Sequence, residues 1–378
     1  MTRPVVHVPT VLGRLRADRG LLLLVAAVVA LTAGLVGAVP PLGERAADRA
    51  VAAAVRDAGP RATVVANLPR WYDDPAAPSR DPATAAQLRH EVDVVREALP
   101  ADLARVLRPG IASVTSTPLQ LLDAGPGRYL RLAFVEAADG GPAVTYAQGG
   151  APRATGEGGA RPTVQVAVSE AAARALDLTV GDRVAARDEH GRSAVVEVSG
   201  VFVPLVADDA AWEVAPSLLH PTTSTSEAGP SASAAALVSP ESLPDLRLAL
   251  PGDALTRRVV FAPEAGELTW SRSASVEQTV AALQAGAGPG LDETTFDSLL
   301  GNVLRDGRAQ VTAARGQAQV LLVGLLTVAG LVLVLAGRLL VRRRAATLRA
   351  TRQRGAGLAG LGAELVVESL VVAALGAA

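Results

Sequence analysis

The chain has 378 residues, enough for about two ordinary domains, with 49% apolar and only 3% aromatic residues and a net charge of −1. It contains neither cysteine nor lysine, so a disulfide framework, a thiol nucleophile, a Cys-ligated metal, a lysine Schiff base and a P-loop lysine are all excluded. The near-neutral balance argues against a general polyanion binder, and no nucleic-acid partner is expected.

Residues 1–19 carry four arginines and one aspartate, and 20–43 carry no charge. Leu21–Val39 is almost wholly apolar and about as long as a helix must be to cross a bilayer. Pro40 and Pro41 are expected to end that helix, because proline lacks the amide donor a helix needs. A basic stretch before an apolar one also describes a signal peptide. Here the run is longer than the roughly 7–15 residues of such a region, and Val36-Gly37-Ala38 is a poor cleavage site, which favours an uncleaved anchor.

Glu44–Ala58 is Ala-rich with interspersed charges and reads as a helix continuing the first span outward. β-rich runs follow at Ala62–Asn67, Tyr129–Val135, Thr163–Val168, Arg183–Ala186, Ala194–Val203 and Arg257–Phe261. Thr84–Leu99, Glu170–Leu176 and Val276–Leu283 read as helices, with Ser169 placed to cap the second. The polar run Asp188–Arg192 reads as a hairpin turn. Gly/Pro-rich breaks at 138–162 and 221–233 read as flexible surface loops, the first also as a boundary between subdomains. Glu293–Gln319 reads as a further helix, weakened by Gly301, Gly307 and Gly316. With 44–58 it forms the two legs of an expected stalk. Residues 60–285 are expected to fold alone as a soluble α+β unit.

The second span is 316–337, uncharged between Arg315 and Arg338. The segment 338–354 holds seven arginines and no acid, among them Arg342, Arg343, Arg344, Arg349, Arg352 and Arg354. A third apolar stretch, 355–378, carries Glu364 and Glu368 one turn apart and reads as the start of a third span inside which the sequence stops. A carboxylate at membrane depth costs a few kcal/mol and usually faces a bundle interior or water. The other reading keeps both glutamates at the interface. Segment 44–315 holds 25 arginines against 34 acids. The positive-inside rule then places 1–19 and 338–354 in the cytoplasm and 44–315 outside. The expected fold is an α-helical membrane protein, multi-pass in the plasma membrane, with an extracytoplasmic α+β domain and stalk helices joining that domain to the transmembrane helices.

Catalytic signals are missing. His7, His90, His190 and His220 lack the spacing of a metal site, no nucleophile elbow occurs, and no cofactor is expected. Asp73-Asp74 and Asp208-Asp209 are acidic pairs of the kind that can bind a cation. Trp71 and Trp212, each beside an acidic pair, are candidates for partner binding, with core packing as the other reading.

Three stretches carry a family resemblance: Val166–Val184, with Val-Gly-Asp-Arg-Val at its end; Val196–Pro204 followed by Asp208-Asp209-Ala210-Ala211-Trp212; and Arg342–Gly357 followed by Glu364 and Glu368. With the span pattern, they resemble the FtsX-like, MacB-like permeases of ABC transporters in their actinobacterial form. The resemblance implies a non-enzymatic permease subunit, truncated within its third span. It also implies a cognate ATPase on a separate chain, a second permease copy or paralogue in the bilayer, and an ATPase-coupling role for the six arginines. A two-span sensor with an outside ligand-binding domain is the alternative reading.

Overall fold

The computed structural model describes residues 19–71, 80–155, 162–226, 229–286 and 293–353. The elements begin with α1 (Arg19–Ala58), β1 (Val64–Asn67), α2 (Thr84–Ala98), α3 (Ala101–Ala104), β2 (Ile111–Ser116), β3 (Leu119–Leu121), β4 (Arg128–Glu136) and β5 (Val144–Gly149). Then come β6 (Thr163–Ser169), α4 (Glu170–Leu176), β7 (Arg183–Arg187), β8 (Ser193–Pro204), α5 (Ala210–Val214), β9 (Thr222–Ser226) and β10 (Gly229–Leu237). The chain closes with α6 (Leu243–Ala249), β11 (Leu255–Phe261), α7 (Trp270–Gln284), β12 (Thr295–Ser298) and α8 (Leu300–Gln353). Two compact units result. One is Val51–Gly307; the other holds the described residues up to Ala50 and from Arg308 onward.

All twelve strands of Val51–Gly307 belong to one sheet. Six of them, in the order β4, β3, β7, β8, β6 and β10, close into a barrel when β10 pairs back to β4. The β6–β8 and β4–β10 seams are parallel and the others antiparallel. Alternation along each strand explains the closure. Leu130, Leu132 and Phe134 of β4, Val164, Val166 and Val168 of β6, and Ala234 and Ala236 of β10 join one buried cluster. Their neighbours of opposite parity, Ala133, Val135, Ala167, Ala235 and Leu237, join a second one beneath α5. Strand β8 serves both layers. A register shift opposite Val166/Ala167 reverses its alternation, so Val198 and Val201 face the first cluster while Phe202 enters the second.

Where β5 lies along β8 the backbones come close. Gly149 has φ +66, and a Cβ there would lie 2.2 Å from the Ser199 carbonyl oxygen. Only glycine meets both demands.

Beyond β4 the sheet continues through β2, β11, β1 and β12. One face of this extension carries Val64, Ala66, Val259 and Phe261, which pack with Val51, Val55, Val276, Val280, Phe296, Leu300 and Leu304.

The expected α-helical membrane protein with an α+β domain on stalk helices is overturned. Among the described residues the chain is a mixed α/β fold built on twelve strands and a closed barrel; about 48% is helix, and of these residues only α1 and α8 form helices long and apolar enough to cross a membrane. The sequence reading missed strands that lie in Gly/Pro-flanked stretches, and the barrel strand among them also has little intrinsic β preference. The two breaks read as loops contain β5, β9 and the barrel strand β10, which runs Gly-Pro-Ser-Ala-Ser-Ala-Ala-Ala-Leu. Pairing on both sides, to β4 and β9, holds β10 extended where propensity does not. The first break does not divide subdomains, since β5 pairs with β8. Glu293–Gln319 is not one helix: β12 precedes, and α8 starts at Leu300. Finally, α1 runs through Pro40 and Pro41. Each proline removes one amide donor, and the flanking turns keep the rest of the ladder.

These contacts move the boundary of the folding unit. A fragment of 51–307 is expected to unfold cooperatively in urea. A 60–285 fragment lacks β12 and the buried side chains of Val51, Val55, Phe296, Leu300 and Leu304. Losing several large core side chains at about 2–5 kcal/mol each leaves little stability. Equal urea midpoints for the two fragments would refute this boundary.

Candidate functional site

Helices α1 and α8 present bare apolar surface. In the most apolar 18-residue window, none of α1 and 6% of α8 is buried. Leu23, Leu31, Val320 and Leu321 all stand exposed. The core helix of a water-soluble fold buries such a face. Hydroxyls within the apolar runs are satisfied by the helix itself: Thr32 Oγ1 donates to the Val28 and Val29 carbonyls at 2.9 Å, and Thr327 Oγ1 to Val323 at 2.7 Å. Two helices among the described residues are therefore long and apolar enough to cross a membrane.

Helix α8 continues past Arg338 to Gln353. Arg338, Arg342, Arg349 and Arg352 follow the spacing of one helical face. Arg342 and Arg343 are exposed, and Arg344 also falls within the helix. Arg354, Glu364 and Glu368 lie outside the described residues, as do Asp73 and Asp74.

The two candidate tryptophans differ. Trp212 is 4% exposed, stacks on Phe202 with ring centroids 5.8 Å apart, and donates its Nε1–H to the Val206 carbonyl at 2.9 Å. Its indole is a packing anchor with no face left for a partner. Asp209 caps α5 by accepting from Ala211 N at 2.9 Å, so the acidic motif here orients the helix that carries Trp212. Trp71 is half-buried, with the guanidinium carbons of Arg257 and Arg247 at 4.6 and 5.1 Å from its ring centroid. Arg257 is itself buried. It donates to the Pro69 carbonyl at 2.7 and 3.0 Å and to both oxygens of Glu91 at 2.8 and 3.0 Å.

Two polar features escaped the sequence reading. Glu136 is buried at the end of β4, and burial pushes its carboxyl above the usual range although Arg89 pairs with it at 3.1 Å. Nothing local in the sequence marks it. The other feature is a cleft of about 190 Å³ on the outer face of β1, β11 and β2. Strand alternation could have found this one. Val64 and Ala66 point to the core, so Val65 points outward, as do Arg258 and Val260 of β11 and Ile111, Ser113 and Thr115 of β2.

Register sets the cleft in rows. Val65 and Ile111 each oppose Val260, and Ser113 opposes Arg258. Helix α5 forms one wall with Glu213 and Val214. Arg258 and Glu213 are exposed and form no ion pair among the described residues. Ser113 is 3% exposed; its hydroxyl is open to the cleft and makes no hydrogen bond among the described residues.

No protein-family model matches the chain, and no curated protein is significantly similar to it.

Proposed function

We propose that the chain is the membrane subunit of an ABC transporter of the FtsX-like, MacB-like kind, worked by an ATPase on a separate chain and paired in the bilayer with a second copy or a paralogue. The observation that supports this reading best is the continuity of α8. One helix carries an unburied apolar window directly into a segment whose arginines stay in helical register up to Gln353. Attraction to anionic headgroups needs only charge, about 1 kcal/mol per arginine near the surface. A helical face of fixed spacing additionally offers a protein partner a surface of defined shape. In this reading the N-terminal segment and the arginine segment stay in the cytoplasm, the chain crosses the membrane more than once, and the unit Val51–Gly307 faces outside. ATP hydrolysis falls to the partner, and the substrate or regulated enzyme is met outside.

Two measurements test it. A reporter active only outside the cytoplasm is expected to work when fused near Gly150 and to fail near Arg349. Shuffling 345–354 at constant charge is expected to abolish co-purification with the ATPase while membrane insertion stays normal. If the shuffled protein still binds the ATPase and stimulates its turnover, the coupling role of the arginines fails.

A further inference from the structure

The open face of β1, β11 and β2 holds a cleft in which polar and apolar side chains meet. The Ser113 hydroxyl is open to this cleft and makes no hydrogen bond among the described residues. Its cross-strand neighbour Arg258 supplies a guanidinium bound to nothing else among the described residues. On the α5 wall Glu213 supplies a carboxylate that is likewise in no ion pair. Arg108, whose guanidinium feels the Glu213 charge, is already paired with Glu264 through contacts of 2.6 and 3.3 Å. The row formed by Val65, Val260 and Ile111 is apolar.

We propose that this cleft binds a small apolar zwitterion, an α-amino acid or the equivalent end groups of a short peptide. Arg258 and the Ser113 hydroxyl take the carboxylate, Glu213 takes the ammonium, and the aliphatic side chain lies on Val65, Val260 and Ile111. Opposite charges that share a cleft without pairing suit a ligand carrying both signs. A simple anion would leave Glu213 facing it as a repulsive neighbour. At about 190 Å³ the cleft is smaller than the sites of roughly 300–1,000 Å³ that hold drug-sized ligands, which excludes a nucleotide-sized occupant. The assignment stands on the sheet face alone and does not rest on the transport reading.

The test uses the full chain in detergent micelles and isothermal titration calorimetry with L-leucine. N-acetyl-leucine, which lacks the ammonium, leucinamide, which lacks the carboxylate, and acetate serve as comparators. Leucine is expected to bind saturably, and each blocked derivative about tenfold or more weakly, the usual effect of losing one charge-assisted hydrogen bond. Arg258→Met is expected to weaken leucine about tenfold and leave leucinamide unchanged. Glu213→Gln is expected to weaken leucine and leave N-acetyl-leucine unchanged. Both side chains are exposed and hold no ion pair among the described residues, so the circular-dichroism melting curves of the variants should match the parent. Should Arg258→Met nevertheless unfold, Glu213→Gln with the two derivatives still decides the matter. Absence of saturable leucine binding at millimolar concentration overturns the proposal. So does acetate competing as well as leucine, or equal loss of all ligands in both variants.

Discussion

Arg257→Met is expected to lower the unfolding free energy by about 3 kcal/mol, read as a shift of the urea midpoint followed by tryptophan fluorescence. The guanidinium is the only polar group of β11 turned towards the interior, between inward-facing Leu255 and Val259. It closes onto the Pro69 carbonyl twice and onto Glu91 in bidentate fashion. Removing one partner of a buried pair costs about 3–5 kcal/mol, because the other charge keeps its desolvation without its compensation. Glu91 retains 34% side-chain exposure, so part of its charge returns to water and the lower end applies. Methionine refills the aliphatic stem and isolates the polar loss from a cavity. The double variant Arg257→Met/Glu91→Gln should recover part of the loss, since no unpaired carboxylate remains. A change under about 1 kcal/mol in the single variant would mean that water already satisfies both partners.

Phe202→Ala is expected to cost about 3–5 kcal/mol, the range for truncating a fully buried aromatic. Phe202 is 0% exposed and stacks at 10° on Trp212, so its removal takes away a ring contact as well as buried area. The void is bounded by β6 and β10, each paired into the barrel, and by α5 and the Pro216–Leu218 turn. Paired strands cannot close over it, which places the cost high in the range. Phe202→Leu should restore more than half the loss, and near-ultraviolet circular dichroism should report the altered Trp212 environment in both variants. Unchanged stability in Phe202→Ala would show that the second layer contributes nothing to holding α5.

What the sequence made legible was whatever rests on local chemistry. The hairpin of β7 and β8 around Asp188–Arg192 forms where the polar run interrupts two runs of alternating inward and outward residues, and Asp188 accepts from the amides of both His190 and Arg192. Ser169 caps Glu170–Leu176 by accepting from Ala172 N at 3.2 Å. Both long apolar helices were read as such, though their ends were not. What depends on distant partners stayed hidden. The barrel closes through parallel seams between β6 and β8 and between β4 and β10, strands that are not hairpin neighbours, and six of the nine residues of β10 are alanine or serine. Nor does local sequence reveal that Trp212 lies under a layer while Trp71 sits at its margin. The cleft falls between these cases: the alternation that forms it is written in three strands, but their side-by-side order is not.

The position of β1 in the sheet sets a timetable for biosynthesis. Its strand partners among the described residues are β11 and β12, which begin at Leu255 and Thr295. A ribosome adds about 5–20 residues per second, so the interval between Asn67 and Leu255 lasts on the order of 10–40 s. During that time all six barrel strands have been made and can pair with one another, while β2, bonded to β4 on one side, keeps its other edge open until β11 arrives. β1 itself is only four residues long, too short to template another chain. The nascent protein thus waits with a brief, unpaired segment directly behind its first apolar helix. The edge is zipped when β12 arrives, immediately before α8 begins to emerge. Delayed translation between Asn67 and Leu255 would prolong the stage at which β1 has no partner strand.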